Sequence, residues 1–156
     1  MKGVTLQHNY LMLPLPAGWE DASQVIAIGQ EDSGFRPNVI FSQEPALAGE
    51  NAAKFAARHV VPLRRTLVGY AILKEENTTF GPNSGFLREH TFRSDGRDMG
   101  QIQFYMVIAY RAYTFTFTHL KDKFPGFRPL AIRMLEQARL ALPRGTAAEE
   151  PSTIER

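Results

Sequence analysis

Residues 99–118 read MGQIQFYMVIAYRAYTFTFT, from Met99 to Thr118. Met99 to Tyr110 has the make-up of a long strand, apolar on both faces toward its end. Tyr113 to Thr118 alternates aromatic residues and threonine, as a pleated surface requires. Just upstream, Ser94-Asp95-Gly96-Arg97 is hairpin-turn chemistry, and Phe86 to Phe92 is the strand it would join. Tyr70 to Thr79 comes before that, ended by Phe80-Gly81-Pro82-Asn83-Ser84-Gly85. Consecutive strands joined by turns too short for a crossover predict antiparallel pairing.

Working outward, Leu6 to Leu13 reads as a strand closed by Pro14 and Pro16, and Trp19, the single tryptophan, as a core anchor. Gln24 to Ile28 and Asn38 to Gln43 are two more strands, and the Gly-containing loop between them predicts a hairpin. From Gly49 to Leu67 the period changes. Ala52, Ala56, His59, Leu63 and Leu67 fall on one helical face, with Arg58, Arg64 and Arg65 largely off it. Pro62 lies inside that segment and predicts a kink or two shorter helices. Phe124-Pro125-Gly126 breaks the strand pattern, and Arg128 to Leu142 reads as a closing helix with Leu130, Met134, Ala138 and Leu142 on one side. The predicted fold class is α+β, an antiparallel sheet of about six to seven strands flanked by two main helices. One domain over residues 1–143 and a polar tail over 144–156 complete the expected organisation.

Composition narrows the function classes. The chain has 156 residues, 44% hydrophobic and 22% charged, with a formal net charge of +2. That length suits one domain, at a prior of about 150 residues per domain. A spread, near-balanced charge argues against a dedicated nucleic-acid binder, which concentrates basic residues on one face. The absence of cysteine excludes disulfides, thiolate nucleophiles and Cys-ligated metals. No apolar run of membrane-spanning length is present, and the N-terminal residues lack a signal-peptide stretch and a lipobox cysteine. A cytoplasmic location without membrane insertion is the expectation.

The search for chemistry is mostly negative. His8, His59, His90 and His119 do not pair at metal-ligand spacing on any one element. Ser84 sits one place late for a nucleophile elbow and precedes a strand instead of opening a helix. The adjacent carboxylates Glu75-Glu76 and Glu149-Glu150 read as solvated charge. The expectation is a chain that is not an enzyme and carries no cofactor and no metal.

The more informative signal is polar content at alternating positions. Strand parity puts Asn38, Ile40 and Ser42 on one face, and Met99, Gln101 and Gln103 on one face. Helical spacing puts His59, Leu63 and Leu67 on one stripe. Each set mixes aliphatic or sulfur-bearing groups with uncharged polar ones. A sealed core avoids unpaired amides, because each costs about 1–3 kcal/mol. Two readings follow: a groove for an apolar partner that carries some polar atoms, or faces that simply meet water.

At this point the residues resemble a family. From about Leu6 to Pro143 the chain is similar to the DcrB-related proteins, and within them to the Eag-type chaperones of type VI secretion effectors. The anchors are Leu13-Pro14 with Gly18-Trp19-Glu20-Asp21-Ala22-Ser23, then Asn38-Val39-Ile40-Phe41-Ser42, and Leu67-Val68-Gly69-Tyr70. The last is Asp95-Gly96-Arg97-Asp98-Met99-Gly100-Gln101-Ile102-Gln103. The resemblance implies a PsbP-like fold, a homodimer and a non-enzymatic role. In that role the protein holds the apolar N-terminal transmembrane helices of an effector in solution until the effector is loaded onto the secretion spike. It implies a partner-binding groove of Ile26, Asn38, Ile40, Ser42, His59, Leu63, Leu67, Met99, Gln101 and Gln103. Pro62, His59, Leu63 and Gln24 depart from the family pattern. The alternative is a general protein-binding module on the same fold that recognises a soluble partner.

Overall fold

The computed structural model describes residues 3–8 and 10–140. Eight strands and two helices follow in the order β1 (Thr5–His8), β2 (Leu11–Pro14), β3 (Gln24–Ile28), β4 (Asn38–Pro45), α1 (Ala52–Thr66), β5 (Val68–Phe80), β6 (Asn83–Ser94), β7 (Arg97–Ile108), β8 (Arg111–Leu120) and α2 (Phe124–Gln137). β1 and β2 form a two-stranded sheet of their own; the other six make one sheet in the order β3-β4-β8-β7-β6-β5. Every neighbouring pair in the larger sheet is antiparallel. The α+β class read from the hairpin spacing is the class observed.

The turns form where their chemistry is written. Asp95 and Gly96 both have positive φ, 51° and 75°, the backbone that a two-residue hairpin of the right twist demands. α1 is the long connection. It carries the chain from β4 to the far edge strand β5, and β8 later fills the place beside β4. Asn51 caps it, accepting from the Lys54 backbone N–H at 2.9 Å. Arg58 then pins the helix to the preceding loop through Glu50, with Nε and Nη2 donating at 2.8 and 2.9 Å.

Each face of the sheet carries one helix. Phe55 and Ala56 of α1 pack with Tyr105 and Ala112. On the opposite face Phe124, Ala131 and Leu135 of α2 pack with Leu87, Ile102, Phe104, Met106, Tyr113 and Phe117. Gly100 permits the close approach of α2, since a Cβ there would stand 3.0 Å from the Phe124 ring.

Four expectations need correction. The stretch 6–13 is two short strands, not one; Leu6 lies opposite Leu13, and a turn without Gly or Pro left no break to read. Trp19 is 65% exposed, because it sits in the loop after β2, where its backbone N–H donates to the Pro16 carbonyl, and not on the sheet. A single helix, not two, passes through Pro62; the proline removes one N–H only, and the buried Phe55 and Ala56 anchor the turns before it. α2 starts at Phe124, so Phe124-Pro125-Gly126 opens it and does not merely end a strand. Proline fits a first turn, where its missing N–H has no helical partner. That earlier start sets the phase. Phe124, Ala131 and Leu135 point to the core, while Leu130 and Met134, on the stripe read from the sequence, are 45% and 39% exposed. Ala138 is the C-cap, whereas Leu142, Pro143 and the tail 144–156 lie outside the described residues.

Candidate partner-binding face

Antiparallel partners directly opposite each other share a face, so the register defines rows across the sheet. One row runs Ile28, Asn38, Thr118, Gln101, His90 and Ile72. The next runs Ile26, Ile40, Thr116, Gln103, Arg88 and Glu75, and a third runs Gln24, Ser42, Thr114, Tyr105, Phe86 and Asn77. Leu120, Met99 and Phe92 begin a fourth. All seven strand residues proposed from the sequence (Ile26, Asn38, Ile40, Ser42, Met99, Gln101 and Gln103) therefore lie on one face. It is the α1 face, because Tyr105 meets the rings of Phe55 and His59. The helix packs against β5, β6 and β7, so β3, β4 and β8 form a floor beside it. Ile26 and Ile28 are exposed, and Asn38, Ile40, Ser42 and Thr116 are half-buried. His59 and Leu63 stand on consecutive turns of α1, both half-buried; Leu67 is the extended C-cap, its N–H bonded to the Leu63 carbonyl at 3.0 Å.

The polar groups of this face are joined in two networks. In the first, Gln101 Oε1 lies 2.7 Å from His90 Nε2. A carbonyl oxygen only accepts, so Nε2 carries the proton and Nδ1 accepts from the Tyr70 hydroxyl at 3.0 Å. The Gln101 amide donates onward to Thr118 Oγ1 at 2.9 Å. In the second, the Gln103 amide donates to Thr116 Oγ1 at 3.3 Å and its carbonyl accepts from the Tyr105 hydroxyl. With that proton committed, Tyr105 Oη accepts from Arg88 Nη1 at 3.0 Å and from His59 Nδ1 at 3.3 Å. Arg88 is 1% exposed. Its Nε donates to Glu75 at 2.9 Å and its Nη2 to the Ala56 carbonyl at 2.9 Å. One guanidinium thus ties β5, α1 and β7 together.

Electrostatics follow from this burial. His90 is held down to about 4, chiefly by desolvation. Burial likewise lowers His59 and raises Tyr70 and Tyr105. Both histidines are neutral near pH 7. Among the described residues no buried side-chain nitrogen or oxygen lacks a partner. Gln101 and Gln103 are therefore satisfied within the chain; of the threonines they bond, Thr116 is half-buried and Thr118 is buried. Thr116 and Thr118 each accept one amide N–H. Among the described residues no group of three or more His, Asp or Glu side chains converges as metal ligands.

Arg88, Tyr105, Ile28 and the threonines Thr114, Thr116 and Thr118 were missed in the sequence. The Thr-Phe alternation of 114–118 already put the threonines on one face, but only the register says that this face is also that of Gln101 and Gln103.

The sheet carries one helix per face, and a floor of Ile26, Ile28 and Ile40 with half-buried Asn38, Ser42 and Thr116 lies open beside α1. The DcrB family profile matches residues 11–131, and the chain belongs to the DcrB family. Among solved structures, the crystal structure of PA94 of Pseudomonas aeruginosa, a protein of unknown function and suggested regulator, matches with a TM-score of 0.75 at 15% identity. The match covers 92% of this chain and 100% of PA94. LpqN of Mycobacterium tuberculosis, involved in cell envelope biogenesis, matches with a TM-score of 0.47 at 12% identity, over 87% of this chain and 88% of LpqN. No curated protein matches the chain.

Proposed function

We propose that the chain is an Eag-type chaperone, acting in the cytoplasm on a type VI secretion effector. It shields the effector's apolar N-terminal helices and releases them when the effector is loaded onto the spike. It works by binding and not by catalysis. The observation that carries this reading is the open floor itself. Ile26, Ile28 and Ile40 are interleaved with Asn38, Ser42, Thr116 and Thr118 on one face, and α1 covers only the other half. An apolar helix gains about 25 cal/mol per Å² of apolar surface it buries there. Helices that normally pack in a bilayer use small and hydroxyl-bearing side chains for close contacts. The hydroxyl rows offer the same kind of surface in water.

Co-expression with the N-terminal helices of a candidate effector tests the proposal. Ile40→Asp and Leu67→Asp are expected to abolish the gain in effector solubility, while Leu73→Asp, on exposed β5, leaves it intact. Unchanged solubility with both groove variants overturns it. A pulled-down partner that lacks an apolar N-terminal helix supports the soluble-partner alternative instead.

A further inference from the structure

A cavity of about 350 Å³ opens between the start of α2 and the strands β5, β6 and β7. That is within the range of small-molecule sites, about 300–1,000 Å³. Two features of the sheet leave this space. Thr91 and Gly100 pair directly across β6 and β7, and both line the cavity. Their small side chains put little between the sheet and the helix. β5 then carries an extra residue at the rim. Ile72 pairs with His90 and Lys74 with Glu89, which leaves Leu73 unopposed. A bulge of this kind re-aims a side chain. Leu73 lines the cavity and is 66% exposed.

The wall also carries one carboxylate against two cations: Glu89, Arg128 and Lys121. Arg128 Nε and Nη2 donate to the two Glu89 oxygens at 2.9 and 2.6 Å, so these charges cancel. Nη1 of Arg128 keeps no hydrogen-bond partner among the described residues. Lys121 is exposed, and no carboxylate among the described residues pairs with it. The wall is therefore apolar at Leu73, Phe124 and Pro125 and carries one uncompensated positive charge. A cavity of similar size, about 340 Å³, lies between α2 and the strands β3 and β4, but no charged residue lines it. Only the first has a means of selecting a ligand by charge.

We propose that the cavity beside the start of α2 binds a carboxylate with a single unbranched apolar tail of about ten carbons. The tail lies against Leu73, Phe124 and Pro125, and the head meets Lys121 and the free Nη1 of Arg128. Volume sets the length. At about 30 Å³ for each methylene-sized group, the share of a water molecule in the liquid, the space holds roughly ten to twelve such groups. Charge sets the head. A carboxylate brings one negative charge to a wall with one positive charge in excess, whereas a phosphate monoester brings about 1.5 to 2. A two-tailed lipid has one chain too many for the space. The cavity belongs to α2 with β5, β6 and β7, and the open floor to β3, β4 and β8. Ligand and client therefore do not compete, and this site does not depend on the chaperone reading.

Titration of the full chain with monomeric decanoate, followed by NMR shifts and by nuclear Overhauser contacts from the tail, tests the assignment. Saturable shifts are expected, with tail contacts to Leu73 and Phe124. Hexanoate, four methylenes shorter, is expected to bind at least about 100-fold more weakly, at about fourfold per methylene. Lys121→Glu, folded by circular dichroism, is expected to weaken decanoate about tenfold and to leave uncharged decanol unchanged. Leu73→Asp, on the exposed rim, is expected to weaken both. Ile40→Asp, which disables the floor, is expected to leave decanoate binding intact, so the chaperone reading can fail without this one. Absence of saturable binding, tail contacts to Ile26 and Ile40 instead, or a Lys121→Glu variant that holds decanoate as tightly as the wild type overturns the proposal. Decyl phosphate bound more tightly than decanoate overturns the choice of head group.

Discussion

Arg88 is the residue on which the α1 face turns. It is buried among Glu75, Tyr105 and the Ala56 carbonyl, and its removal leaves a phenol and a helix carbonyl short of donors. Arg88→Met is expected to cost about 3 kcal/mol in urea unfolding. Arg88→Lys should recover little of this, because an ammonium cannot form the same fork. His90 gives a pH signature. Its folded value, about 4, lies below the ordinary 6.5, so the unfolded chain binds the proton first. The stability this provides is complete above pH 6.5 and is lost as the pH falls from 6.5 toward 4. The change is on the order of 3 kcal/mol, and His90→Gln is expected to flatten that part of the unfolding curve. The sequence concealed Arg88 because an arginine beside Glu89 reads as solvated charge. Its parity with Phe86, His90 and Phe92 is the sign that it faces inward.

At the scale of elements, periodicity read well where one strand or helix sufficed and failed where a neighbour decided. The parity of Asn38, Ile40 and Ser42, and of Met99, Gln101 and Gln103, followed from alternation alone. That the two triplets converge depends on β8 lying between β4 and β7, a long-range pairing that no local pattern carries. For α2, two adjacent apolar lines were available. Phe124, at the helix start, selected the one through Ala131 and Leu135. Gly100→Val should therefore push against Phe124 and destabilise by about 1–3 kcal/mol in thermal unfolding, with the loss traced to α2 by hydrogen exchange. Pro62→Ala should restore the missing helix donor and stabilise by about 1–3 kcal/mol, read by the same melt.

For the whole molecule, the two faces divide the labour. The α2 face holds the larger, aromatic core. The α1 face gives up part of its apolar area to an open floor whose polar atoms are already oriented by their own chain. The 44% apolar content is thus shared between a core, an exposed edge with its hairpin, and an open floor that we propose receives a partner. The most direct test of that surface is photo-crosslinking from position 40, in the middle of the floor, with position 73 on β5 as the control, during co-expression with a candidate effector. The account predicts an adduct from position 40 that maps to the effector's apolar N-terminal helices, and none from position 73. Adducts from position 73 alone, or from position 40 only to segments outside those helices, would contradict it.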